Sequence, residues 1–440
     1  MFRKNPWIIF ILSYLLLILI GGVLLSLPFS HHGKISFIDA LFTSTSAVSV
    51  TGLTVLDTGK DFTKTGQVII LFLIQIGGVG IMTFVVATTI FLRKQLGIGI
   101  REIFGEEYAG GLENPRKILT MVLLWTFSIE FLGFLILLLS LRGENVESKI
   151  FVSLFHSVSA FCNAGFSIFS NSLEGFRHNY PFLLSVAFLI FCGGIGFTNG
   201  IQILKRITKK ERRLTLNAKL SLTISAILIL IGTIIIFIGE MKEWKESLFS
   251  LFFNSLFQSI TPRTAGFNSL KISEMHSISS FILWSLMMVG ASSGSCGGGI
   301  KTNTIGAIFS YLKGRMSGFK TASIFGRTIN EETVEKAISV FAFYFAVLVA
   351  GTVLLLLTEG GNQNITGETL FPVLFEVTSA LSTVGLSFGI TPHLSIPGKI
   401  VIILLMLVGK IGLYSFIFAF LMRKREERFY TFPEEDIMVG

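Results

Sequence analysis

Apolar residues in this chain fall into runs of two lengths. Long runs cover 7–27, 68–92, 118–141, 181–204, 220–238, 280–312, 337–357 and 400–422. About 20 such residues cross the ~30 Å hydrocarbon core of a membrane as a helix. Within each successive pair of long runs lies a shorter, half-polar one rich in Ser, Phe and Ala, at 37–50, 151–162, 248–260 and 370–381. These are too short to cross, so they predict half-helices that enter and turn back. The pattern predicts an all-α membrane protein of four tandem helix–pore-loop–helix units around one central pore. Eight helices span and four re-enter, with units at 1–96, 97–208, 209–318 and 319–440.

A glycine motif follows every short run: Val50-Thr51-Gly52-Leu53, Asn163-Ala164-Gly165-Phe166, Thr264-Ala265-Gly266-Phe267 and Thr383-Val384-Gly385-Leu386. Thr383-Val384-Gly385 matches the core of the potassium-channel filter, where backbone carbonyls replace an ion's water shell. Glycine allows the reversal that aims such carbonyls inward, and half-helix C-termini gather partial negative charge there. The carbonyls of Val50, Thr51, Gly52, Asn163, Ala164, Gly165, Thr264, Ala265, Gly266, Thr383, Val384 and Gly385 are the expected ligands of a dehydrated monovalent cation. Three long runs carry a second glycine pattern: Gly77-Gly78-Val79-Gly80, Gly193-Gly194-Ile195-Gly196 and Gly409-Lys410-Ile411-Gly412. The bland alternative, glycines placed only for close helix packing, does not require four recurrences after a half-helix.

Composition agrees: 51% of residues are hydrophobic, 14% are charged, and the mean hydropathy is +0.73. The net charge of +9 raises the question of nucleic acid. With both termini placed inside, Lys and Arg on inner segments outnumber those on outer ones by roughly two to one. The cluster Lys205, Arg206, Lys209, Lys210, Arg212 and Arg213 therefore reads as a loop that sets orientation or meets anionic lipid, and no nucleic-acid partner is expected. Cys162, Cys192 and Cys296 read as free thiols, being odd in number and without metal spacing.

The third unit departs from the others. Residues 290–304 place Ser292, Ser293, Gly294, Ser295, Cys296, Gly297, Gly298, Gly299 and Lys301 inside an apolar run, where so many glycines cannot remain one helix. A phosphate loop is excluded, because Ile300 separates Gly299 from Lys301 and no strand precedes. A Gly/Ser loop that switches cheaply, with the intramembrane charge of Lys410 beside it, is the expected gate. Glu130 reads equally as a packing carboxylate or a transport residue. Arg263 is expected to scaffold the pore entrance through Asp39 or Glu376.

On these motifs, with Thr261-Pro262-Arg263 and Gln75-Ile76-Gly77-Gly78-Val79-Gly80, the whole chain resembles the Trk/Ktr/HKT superfamily of potassium transporters, and its bacterial KtrB branch above all. The resemblance implies potassium uptake, since all four filter positions are Gly where sodium-favouring plant relatives carry Ser in the first. It implies potassium as substrate at the filter carbonyls, passive or sodium-coupled flux, no catalysis, and a gate formed by the Gly-rich loop. Its implied setting is the bacterial cytoplasmic membrane with both termini cytoplasmic. A homodimer, held in part by the tail 436–440, would rest on a KtrA-type cytoplasmic ring that alone binds nucleotide. Lys410 stands where the family usually has Arg. The rival readings are a sodium-selective or unselective cation carrier and a non-conducting receptor.

Overall fold

The computed structural model describes residues 6–81, 83, 86, 115–209, 213–319, 321–360 and 370–412. Helix α1 (Pro6–Ser26) leads to a short α2 (Phe37–Ser49) and to α3 (Lys64–Val79). Then come α4 (Pro115–Ser140), α5 (Lys149–Phe161), α6 (Tyr180–Gly194) and α7 (Phe197–Ile207). The third group is α8 (Leu216–Glu240), α9 (Leu248–Ile260), α10 (Ser277–Met288) and α11 (Thr302–Met316). A two-residue hairpin, β1 (Ser323–Ile324) with β2 (Arg327–Thr328), precedes α12 (Glu331–Glu359), α13 (Leu370–Leu381) and α14 (Ile396–Ile411).

Local chemistry starts these helices where it should. Ser36, Thr63, Thr215, Ser247 and Ser395 each accept a first-turn amide at 3.2–3.3 Å, opening α2, α3, α8, α9 and α14. Such caps contribute about 1 kcal/mol each. By length and composition α4, α8 and α12 can cross a membrane, and α1 is 21 residues of the same character. Their outer faces are aliphatic and exposed, as at Leu124, Leu230 and Val349.

The second long run of each repeat is a different matter. The expected continuous span over 181–204 is two helices, α6 and α7, meeting at 106°. The cause is Gly196, whose φ of 89° and ψ of 136° no residue with a Cβ adopts comfortably. Gly80 (91°, 131°) ends α3, and Gly412 (87°, 132°) ends α14, with the same backbone. The second glycine pattern is thus a break, and hydropathy alone misses it because Phe197, Ile201, Ile203 and Leu204 continue apolar positions beyond Gly196. In the third run the break widens into the loop between α10 and α11, as the glycine content of 290–304 leads one to expect. The far portions of the runs at 68–92 and 400–422, and the tail 436–440, lie outside the described residues.

Packing arranges the helices in a cycle. Each short helix sits against the long helices beside it in sequence: α2 on α1 and α3, α5 on α4 and α6, α9 on α8 and, by fewer contacts, α10, α13 on α12 and α14. Each helix that follows a short one then meets the next short one: α3 meets α5, α6 meets α9, α10 meets α13, and α14 returns to α2. That last contact joins segments 360 residues apart and holds an ion pair, Lys399 Nζ to Asp39 Oδ1 at 2.6 Å.

Candidate functional site

The chain leaves each short helix through a turn that alternates backbone handedness. Val50, Asn163, Thr264 and Thr383 have φ of 57°, 58°, 70° and 51°, and the glycines two places later have 92°, 68°, 80° and 94°. Left-handed residues separated by one ordinary residue turn successive carbonyls away from the alternating pattern of a strand, toward one side. The turns are pinned from behind. Gly52 N and Gly385 N donate to Ser46 Oγ and Ser379 Oγ, both at 3.0 Å. Ser159 Oγ and Thr261 Oγ1 donate to Phe166 O (2.7 Å) and Phe267 O (2.6 Å).

The four glycines close a ring. A methyl group on Gly52 would lie 2.9 Å from the Cα of Gly165; on Gly165, 3.1 Å from Gly266; on Gly266, 3.1 Å from Gly385; on Gly385, 3.0 Å from Gly52. The nearest atom such a methyl would meet is in each case a carbonyl oxygen of the adjacent turn, at 2.8 Å or less, closer than real Cβ atoms come, so all four positions call for glycine for space as well as for φ. Thr51, Asn163, Ala164, Thr264, Ala265, Thr383 and Val384 around it are fully buried. On one side the glycines floor a polar vestibule of about 540 Å³. In its wall Glu174 accepts from Asn268 Nδ2 at 2.7 Å. Burial lifts the Glu174 carboxyl above its ordinary range, opposed by Asn268 and by Lys271.

The Gly-rich loop lies against the opposite ends of the same turns. Gly298 N donates to Thr383 Oγ1 at 2.9 Å, and Gly297 and Gly298 press close to Thr264 and Thr383. Two lysines hold loop carbonyls: Lys410 Nζ donates to Cys296 O at 2.7 Å, and Lys301 Nζ donates to Gly297 O. Ser292 Oγ accepts from Asn199 Nδ2 (3.0 Å) and from Ser221 Oγ (2.6 Å). The loop also completes the backbone of the α6–α7 break: Ser292 N donates to Gly194 O (2.9 Å), Cys296 N to Gly193 O (3.4 Å), and Phe197 N to Gly294 O (2.9 Å). Backbone groups freed inside a membrane need such partners, since no bulk water is there to take them.

One expectation needs correction. Arg263 reaches neither Asp39 nor Glu376. Asp39 is taken by Lys399 across the cycle's closure, while Glu376 accepts from Ser387 Oγ at 2.7 Å and from Thr391 Oγ1. Arg263 is instead buried behind the third turn, sharing a small void with Gly194, Ile195 and Ser225. Glu130 is fully engaged: Gln75 Nε2 donates to Oε1 and Oε2 at 3.0 and 3.3 Å, and Cys162 Sγ lies 3.8 Å from Oε1. That is a clamp among α3, α4 and the second turn. The three cysteines are free and buried.

Other residues that build the site escaped sequence reasoning. Tyr344 and Ser382 hydroxyls meet at 2.7 Å behind the fourth turn, and Trp284 Nε1 donates to Thr378 Oγ1 at 2.9 Å. A signal did exist for the pinning serines, because Ser46, Ser159 and Ser379 all stand six residues before their glycine.

A family model described as "TrkH: Cation transport protein" matches residues 4–430. The chain is 36% identical over its whole length to "Potassium/sodium uptake protein NtpJ" of Enterococcus hirae, covering 98% of that protein. It is likewise 36% identical to "Ktr system potassium uptake protein B" of Bacillus subtilis, covering all of this chain and 97% of that one. In fold it is similar to the potassium transporter TrkH from Vibrio parahaemolyticus, with a TM-score of 0.72, 20% identity, and coverage of 95% of this chain and 85% of the other.

Proposed function

The chain belongs to the TrkH family of cation transport proteins and is an ion transporter, not an enzyme; on that premise we propose that it takes up potassium through the ring of glycine turns. One observation carries the reading: four glycines with positive φ, each filling the space the preceding one's side chain would need, at the floor of a polar vestibule. A dehydrated monovalent cation on the axis would be held by the carbonyls of residues 50–52, 163–165, 264–266 and 383–385. The four repeats, with limits at 96, 208 and 318, are the four walls of this passage. The vestibule faces outward. The Gly-rich loop, fastened by Lys301 and Lys410 on the inner side, closes the passage and is the gate.

The remaining expectations follow as parts of the same proposal. Flux is passive or sodium-coupled, and the relative named for both potassium and sodium keeps sodium in the experiment. The "Ktr system" names of two relatives support a partner subunit, which we take to be the cytoplasmic, nucleotide-binding ring of the KtrA type that the family resemblance implies. A homodimer in a bacterial cytoplasmic membrane, with both termini inside, completes the assembly.

The test is rubidium uptake into vesicles containing the purified chain, with potassium and sodium as competitors. Potassium should compete at far lower concentration than sodium. Gly52→Ser should narrow that gap, and Gly385→Asp should abolish rescue of a potassium-uptake-deficient bacterium. Full rescue by both variants at normal membrane abundance would falsify the filter assignment.

A further inference from the structure

Helix α7 leaves α6 at 106°, so with α6 entering the membrane along its normal, α7 runs nearly in the plane of the bilayer. Its eleven residues sort cleanly by face. Thr198, Asn199, Gln202, Lys205 and Arg206 share one side, while Ile201, Ile203, Leu204 and Ile207 share the other. Leu204 and Ile207 are 51% and 72% exposed, and Arg206 and Lys209 are exposed beside them. A short helix with uncovered aliphatic side chains next to uncovered bases is built for the boundary between hydrocarbon and headgroups. Arg213, four positions beyond Lys209 in the sequence, is exposed as well.

The other end of this helix holds the loop. Phe197 N donates to Gly294 O, and the buried Asn199 donates to Ser292 Oγ. A Cβ on Gly196 would lie 2.7 Å from Ser293 O. Gln202 accepts from Thr215 Oγ1 at 2.9 Å, which ties the middle of the helix to the cap of α8. The helix is roughly 16 Å long, with the loop at one end and the exposed Arg206, Ile207 and Lys209 at the other.

We propose that α7 is a lever by which anionic phospholipid of the inner leaflet sets the position of the Gly-rich loop. Phosphate groups would engage Arg206, Lys209 and Arg213 while acyl chains cover Leu204 and Ile207. The bases supply charge complementarity for phosphate, and the aliphatic side chains beside them suit hydrocarbon better than a soluble protein surface. The inference rests on the loop being the barrier to flux, as proposed above.

Purified protein would be reconstituted in phosphatidylcholine vesicles and in vesicles with one third phosphatidylglycerol, and rubidium flux compared for the native chain and Arg206→Gln/Lys209→Gln. Both side chains are exposed, so the variant should retain its fold, which its elution profile checks. The native chain should change flux about threefold or more with phosphatidylglycerol, and the variant by less than half as much. Native mass spectrometry gives a readout independent of flux: the variant should retain fewer phosphatidylglycerol molecules after gentle delipidation. Equal lipid retention with an equal lipid response in both proteins overturns the proposal. So does a response that appears only after a cytosolic protein is added, which would make the surface a protein dock. Failure of the gate reading shows separately, as a chain lacking Ser292–Gly298 that conducts no faster than the native one.

Discussion

Helices α6–α7 and α10–α11 are the same part of two successive repeats, and both are interrupted against the turn of their own repeat. Gly193 packs on Phe161 O, and Gly290 lies 3.2 Å from Thr264 Cγ2 when given a Cβ. The first resumes after two residues and the second after thirteen. A two-residue break changes direction but leaves Gly193 O, Gly194 O and Phe197 N without their helical partners. The thirteen-residue excursion brings Cys296 N, Ser292 N and Gly294 O to those three groups. The contrast teaches that the loop is no slack tether. It is the missing half of its neighbour's backbone, and it can move only if α6–α7 finds other partners, most simply Phe197 N returning to Gly193 O in a straightened helix.

The sharpest way to break this comparison is to remove the long member. Deleting Ser292–Gly298 should raise rubidium flux about tenfold or more, a shift of ~1.4 kcal/mol in the closed–open balance. Lower flux in well-folded protein would make the loop part of the conducting path instead. Next, Gly196→Ala attacks the short member. Alanine at a φ of 89° costs on the order of 1–3 kcal/mol and would crowd Ser293 O, so α7 should disengage and flux should rise several-fold. Unchanged flux with normal yield would mean that the two breaks are independent.

Smaller effects sharpen the contrast. Lys410→Gln removes the donor to Cys296 O and should raise flux about two- to fivefold, near the ~0.5–1.5 kcal/mol of one hydrogen bond, whereas Lys410→Arg should stay close to native. Ser292→Ala loses the bonds from Asn199 and Ser221 but keeps the backbone bond to Gly194 O. It should change flux by about twofold or less, and a change as large as that of the deletion would shift the weight from backbone to side chain.

Much of this site was legible where conformation is local. The four turn glycines announced themselves because they recur after each short run, where a Cβ would meet the backbone of the adjacent turn, and the loop because its glycines cannot stay helical. The α6–α7 break was read as a continuous helix since Phe191 to Ile195 before the bend and Ile201, Ile203 and Leu204 after it are apolar, and hydropathy carries no direction. Pairings across repeats were beyond reach. Asp39 finds Lys399 across 360 residues, and Arg263 was assigned carboxylates that closer hydroxyls and a distant lysine already occupy. The partner that makes Glu130 a packing carboxylate, Gln75, lies 55 residues upstream of it.

The closed circuit of glycines behaves as a hoop. Each turn braces the next, and the last braces the first, so no arc can yield without displacing its neighbours. The width of the opening is then a property of the whole circumference, shared by four segments of unlike sequence. A bulge at one arc should travel around it, so that paired substitutions at adjacent arcs depart from the sum of their single effects more than paired substitutions outside the hoop do. If the hoop is the filter proposed above, discrimination between cations of different radius is collective: the ion is measured by the perimeter and not by any single turn.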